Sequence, residues 1–215
     1  MVTKKTVKKT KLRLKKFFQN RYFIFRHGHS DIQTEKTAGR RPAKEKEYNL
    51  TMKGREEVSA SAKKIKKEDI DLIVSSDLER ARQTSEIISH ITKARVVFDK
   101  RLREFDAGDL KGLKSEEIWK HLCDDDDLAF CVLPNGESFA DVRKRAYGCL
   151  VELERKHKNK TIVIVSHEFP LMLLEWTLKG MEIEDIIAKR CAGKIKKMKT
   201  GSFCELCFKN CQEQE

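Results

Sequence analysis

Five short apolar runs punctuate an otherwise strongly polar chain. Tyr22-Phe23-Ile24-Phe25 is unbroken, which predicts a strand buried on both faces. Asp71-Leu72-Ile73-Val74 and Thr161-Ile162-Val163-Ile164-Val165 read the same way, Val96-Val97-Phe98 is a shorter strand, and Phe203 to Phe208 is a final one. Between these runs the apolar period changes. Val58, Ala62 and Ile65 share one helical face behind Thr51 as N-cap, and Ala81, Thr84, Ile87 and Ile88 mark a second helix capped by Ser76 or Asp77. Further helices are expected at 115–122, at 138–157 after the Pro134-Asn135-Gly136-Glu137 turn, and at 170–178, where Pro170 is tolerated in the first turn. Residues 34–49 and 99–114 are polar, carry glycines, and read as loops. Strands alternating with helices predict an α/β fold, a three-layer sandwich with a largely parallel central sheet flanked by helices.

Length and charge refine this picture. At 215 residues the chain can bury a sizeable core, and 37% charged residues imply a thick solvated shell. The net charge of +12 is unevenly placed: residues 1–16 hold eight Lys and Arg and no acid, which leaves +4 for the remainder. The expected organisation is a basic, flexible arm over residues 1–20 and one catalytic domain over 21–215. A solvated arm is preferred to a transit peptide, since Ser and Arg richness is missing, and weak contact with polyanions through residues 1–16 is the partner role it permits. No run approaches the ~20 apolar residues of a membrane span and no secretory leader is visible, so a cytoplasmic protein with reduced thiols and no membrane partner is expected. Cys204, Cys207 and Cys211, with Cys191 upstream, suggest zinc by spacing, but a second knuckle is missing and thiols filling a terminal strand are preferred.

The candidate chemistry sits where strands end. Arg26-His27-Gly28-His29-Ser30 follows the first strand, Ser76 to Arg80 follows the second, and Ser166-His167 follows the Thr161 run. Open α/β sheets place their ligand crevices at the carboxyl ends of strands, so these segments are expected to converge. Two histidines, two arginines and a carboxylate, Glu104, supply a nucleophile, cations for phosphoryl oxygens and a proton donor. A binuclear metal reading of His27-Gly28-His29-Ser30-Asp31 is disfavoured: Ile32 follows where a further histidine is needed, and arginines are poor neighbours for a dication. The acidic run Asp124 to Asp127 is read as a solvated loop.

The segments together resemble the histidine phosphatase superfamily, the phosphoglycerate mutase-like proteins. The resemblance rests on Phe25-Arg26-His27-Gly28, Asn49-Leu50-Thr51 with Gly54, Ser76-Asp77-Leu78-Glu79-Arg80-Ala81-Arg82-Gln83-Thr84, Leu102-Arg103-Glu104 with Gly108 and Gly112, Pro134-Asn135-Gly136-Glu137-Ser138, and Val165-Ser166-His167. It implies that His27 is the nucleophile and becomes a phosphohistidine, that Arg26 and Arg80 clamp the phosphoryl oxygens bidentately, and that His167 adds a donor. Glu104 is then the acid for the leaving group, with Ser30, Gln33 and Glu168 around the substrate. Nearby guanidinium charge is expected to lower the pKa of His27. No metal or cofactor is called for.

Four positions depart from the family pattern. His29 replaces an acid or small polar residue, Gln33 an asparagine, and Glu168 a glycine, while Thr200-Gly201-Ser202 stands where asparagine is common. An acid at Glu168 is unwelcome beside phosphate unless its side chain turns away. Only 21 residues separate Gly112 from Pro134, too few for the long mutase insertion. The expected activity is therefore hydrolysis of a small phosphorylated metabolite. The alternatives are mutase-type phosphotransfer and, in a different class, a catalytically weak module that binds phosphate or polyanions.

Overall fold

A computed structural model describes residues 18–35, 48–113, 118 and 127–207. Five strands form one sheet: β1 (Arg21–Arg26), β2 (Leu72–Ser75), β3 (Arg95–Phe98), β4 (Thr161–Ser166) and β5 (Phe203–Glu205), in the order β3-β2-β4-β1-β5. All neighbours run parallel except β5, which pairs antiparallel with β1. The helices are α1 (Asp31–Glu35), α2 (Met52–Ile65), α3 (Glu79–Thr92), α4 (Phe139–Lys156), α5 (Glu168–Leu178) and α6 (Ile183–Cys191).

Side chains that alternate along each central strand serve two different cores. Tyr22, Ile24, Leu72, Val74, Ile162 and Ile164 pack with Ala146, Cys149 and Leu150 of α4 and Leu171, Leu174 and Leu178 of α5. Phe23, Phe25, Ile73, Val163 and Val165 face the other way, onto Val58, Ala62 and Ile65 of α2 and Ala81 and Ile88 of α3. Strands β1, β2 and β4 are covered on both faces, which is why they read as unbroken apolar runs, whereas the edge strand β3 is largely exposed. A third core joins α6 to the other helices, with Ile183, Ile186 and Ile187 against Phe139, Val142, Met172 and Leu173. The three-layer α/β sandwich expected from the sequence is the observed architecture.

Local details both follow and correct the sequence reading. Thr51 caps α2 by accepting the Gly54 N–H at 3.1 Å, and Ser138 with Asp141 forms a reciprocal capping box at α4. Helix α3 starts later than expected, behind Leu78, with no side-chain cap. The two expected caps are engaged elsewhere: Asp77 binds Arg103, and Ser76 binds His167. Helix α5 begins at Glu168, two residues before Pro170. Helices α1 and α6 were not anticipated from the pattern. Phe18 is buried against Tyr22, and Asn20 donates to Glu154 Oε2 and to the His157 carbonyl, both at 2.8 Å, so residues 18–20 pack on the domain and not with an arm. Apart from Ile118, the expected helix at 115–122 lies outside the described residues, as do the acidic run before Asp127, Cys211 and most of the 34–49 loop. Cys204 lies within β5, as a strand filler. No helix among the described residues is long and apolar enough to cross a membrane.

Candidate active site

Strands β1, β4 and β2 are adjacent and in register at their carboxyl ends, Arg26 beside Ser166 and Ser75 beside Val165. The backbone extends this alignment: His27 N–H donates to the Ser166 carbonyl at 3.0 Å and Ser76 N–H to the Val165 carbonyl at 2.9 Å. Histidines far apart in sequence thus face each other, the rings of His27 and His167 lying 5.1 Å apart between centroids. The Arg26-His27-Gly28 turn needs its glycine. A Cβ on Gly28 would stand 2.6 Å from the Gly54 carbonyl oxygen and 2.7 Å from Val58 Cγ2. The turn can press this closely on α2 only without a side chain.

His27 is buried, and its ring is held in a defined state. Nδ1 lies 2.8 Å from its neighbour's carbonyl, Gly28 O, so Nδ1 carries the hydrogen and Nε2 keeps a lone pair. Arg80 Nε–H donates to that lone pair at 3.3 Å. Burial above all, then the guanidinium groups of Arg80 and Arg26, push the pKa of His27 well below the ordinary imidazole value. The sequence reading had named only the guanidinium part. A neutral imidazole with its lone pair at Nε2 is the form able to attack phosphorus.

His167 is buried too, and its pKa is lowered by burial first, then by Arg80, His27 and Arg26. Ser76 Oγ accepts the Leu78 N–H at 3.3 Å and lies 2.8 Å from His167 Nε2. With the Ser76 hydroxyl donating to Nε2, Nδ1 carries the ring hydrogen and is a donor. His167 Nδ1 and Arg26 Nε are buried polar atoms with no partner among the described residues. Buried donors are ordinarily satisfied, so two orphans at this spot mark a place suited to an anion. Arg26 is otherwise committed: Nη1 donates to the Met198 carbonyl at 2.5 Å, and Nη2 pairs with Glu168 Oε2 at 3.0 Å. It presents one edge, not the open fork that the resemblance implied.

Glu104 sits against the start of α5, the residues that directly follow His167 in the chain. Its Oε1 accepts the N–H groups of Phe105 at 3.0 Å and Phe169 at 3.2 Å, and Oε2 accepts that of Glu168 at 3.0 Å. The carboxyl therefore caps the start of α5 from a distant loop. Desolvation raises its pKa, opposed by the Phe105 bond and reinforced by the charge of Glu168. A raised pKa suits this carboxyl group to proton donation.

Of the remaining residues singled out from sequence, Ser30 and Gln33 pair with each other. Ser30 N–H and Oγ–H both donate to Gln33 Oε1, at 2.8 and 2.7 Å, in the turn that starts α1. Glu168 touches Arg26 directly and also Arg190. His29 and Asp31 turn to Thr51 and Asn49, and among the described residues no three His, Cys, Asp or Glu side chains are grouped to hold a metal ion.

Sequence reasoning missed the supports. Arg103 forks onto Asp77 with two bonds of 2.6 Å. Arg145 donates to the carbonyls of Arg101 and Arg103 at 2.6 Å and of Glu104 at 3.0 Å, while Glu137 grips its other edge at 2.7 and 2.9 Å. This pair fixes the loop that carries Glu104. Ser76 and Glu137 lay within quoted motifs and could have been found. Arg145 and Arg190 could not, since a charged residue on a helix ordinarily faces water.

With this geometry in view, the match to known proteins is direct. Residues 22–206 match the family model of the histidine phosphatase superfamily (branch 1), and the chain belongs to that family. It is 28% identical over 148 residues to phosphoserine phosphatase 1 of Hydrogenobacter thermophilus, covering 66% of this chain and 70% of that one. It is 30% identical over 165 residues to a probable phosphoglycerate mutase of Escherichia coli, 74% of each. Among solved structures, a mycobacterial glucosyl-3-phosphoglycerate phosphatase in complex with VO3 superposes with a TM-score of 0.72 at 26% identity, covering 86% of this chain and 90% of that one. The chain is thus an enzyme of the phosphatase class, and phosphomonoester hydrolysis is the activity that fits family, relatives and fold together.

Proposed function

We propose that the protein hydrolyses a small phosphorylated metabolite through a phosphohistidine on His27. The observation that carries this reading is the ring state of His27: Nδ1–H fixed by the Gly28 carbonyl and a neutral Nε2 beside Arg80. Nε2 attacks phosphorus in line with the departing oxygen, and the P–O bond to the leaving group breaks. Arg80 Nε–H moves from the lone pair to a phosphoryl oxygen, joined by Arg26 Nε–H and His167 Nδ1–H. The carboxyl of Glu104 gives its proton to the leaving oxygen. As carboxylate it then takes one from water, whose oxygen displaces His27 from phosphorus and releases inorganic phosphate. Ser30, Gln33 and Glu168 flank the substrate in this scheme.

Domain use follows the charge map. Residues 1–16 form a basic arm with weak affinity for polyanions, outside the chemistry, and the enzyme works in the cytoplasm. Mutase-type transfer is the second reading, favoured by the likeness to the Escherichia coli relative. The short span between Gly112 and Pro134 argues for water as acceptor, since it has no room for the long mutase insertion.

His27→Ala tests the reading. It is expected to lower phosphatase activity by at least ~10³-fold with the fold intact, and rapid quench of the native enzyme should trap acid-labile phosphate. A variant keeping a tenth of native rate, or phosphate passing to an alcohol acceptor in preference to water, would contradict hydrolysis through His27.

A further inference from the structure

The carboxylate of Glu168 stands between two guanidinium groups. Oε2 pairs with Arg26 Nη2 at 3.0 Å and Oε1 with Arg190 Nη2 at 2.8 Å, while Lys197 Nζ is 3.7 Å from Oε1. The side chains of Arg26, Glu168 and Arg190 are only 11%, 12% and 13% exposed, so water screens these charges poorly. Glu168 follows His167 and grips the arginine next to His27. A phosphoryl group arriving at Arg26 therefore meets a fixed negative charge.

We propose that Arg190 is a positioning residue for phosphate binding: it holds and neutralises Glu168 so that Arg26 stays available to the phosphoryl group. The inference rests on Arg26 being a phosphate ligand. Without Arg190, the ion pair left to Oε1 is the looser one with Lys197, 3.7 Å away and 59% exposed. The freed carboxylate then has Arg26 as its close partner. Carboxylate matches the guanidinium fork as phosphate does, so it competes for the same donors. It is also an uncompensated charge beside an incoming anion, the situation in which removal of one partner of a buried pair is most costly. Both effects oppose binding of phosphate in ground and transition state alike, which raises KM and leaves kcat near its native value. Neither survives if Glu168 loses its charge. That reversibility separates the role from a merely structural one.

The test uses the full-length chain, calorimetric binding of inorganic phosphate, and kcat and KM on p-nitrophenyl phosphate. Arg190→Met is expected to weaken phosphate binding and raise KM about tenfold or more, with kcat within about threefold. Adding Glu168→Gln to that variant should tighten phosphate binding about tenfold relative to Arg190→Met alone. Should Arg190→Met fail to fold, Glu168→Gln alone decides, with phosphate bound more tightly than by the native protein. Unchanged phosphate affinity in Arg190→Met, a loss that Glu168→Gln does not repair, or no tightening in Glu168→Gln alone each overturns the inference. A native protein that binds no phosphate overturns instead the assignment of Arg26, and the inference with it.

Discussion

Glu104→Gln separates the acid role of this residue from its structural one, because glutamine can imitate neither fully. Glu104 accepts three backbone N–H groups, two on Oε1 and one on Oε2. A protonated carboxyl still accepts on both oxygens, whereas glutamine accepts on one. With its oxygen in the Oε1 place, its amide nitrogen opposes the N–H of Glu168, donor against donor. One unpaired backbone donor costs ~1–3 kcal/mol. At ~2–4 °C per kcal/mol for a domain of this size, the melting temperature should fall by ~2–12 °C. The catalytic effect is larger and selective. An alkyl phosphate needs its leaving oxygen protonated, while p-nitrophenolate leaves unaided, so loss on the first should exceed loss on the second by ~10²-fold. Paired kinetics on both substrates, with thermal melts of both proteins, make the measurement. Equal losses on the two substrates would refute Glu104 as general acid, and an unchanged melting temperature would refute its capping of α5.

Two further outcomes follow from charge and burial. His27 and His167 both have lowered pKa values in the fold, so as pH falls below about 6.5 the unfolded chain takes up protons that the folded chain refuses. Stability is therefore full above that pH and declines below it, by up to ~1.4 kcal/mol per pH unit for each histidine. Glu104, with its raised pKa, works in the opposite sense at lower pH, being most favourable when protonated. Urea midpoints over about pH 7.5 to 5.5 should show a shallower slope in His27→Gln than in the native protein, and equal slopes would contradict the neutral, desolvated state of His27. Deleting residues 1–16 should leave kcat on p-nitrophenyl phosphate within about threefold and reduce salt-sensitive binding to polyanions. A folded but inactive truncation would place the arm in the site.

Much of the site was legible before the fold was known, and for a physical reason. The candidate residues His27 and His167 follow strands buried on both faces, and a run such as Thr161 to Val165 announces both the strand and its end. The period of apolar residues, the glycine at position 28 and the histidines behind two strands were enough for the architecture and for the convergence of His27 and His167, since each depends on local pattern. Composition likewise located the excess charge in residues 1–16. What the pattern could not carry was the identity of partners. Ser76 and Asp77 look like helix caps by propensity, yet tertiary proximity gives them to His167 and Arg103, because a charged or polar partner in a dry crevice outweighs a cap that water can replace. Glu168 looked incompatible with phosphate until the fold placed Arg190 against it, and no spacing along the chain foretells that pairing. The boundary near Phe18 moved because burial against Tyr22 is decided across space. The sequence alone determined which residues end which strands; only the tertiary structure decided which charges meet.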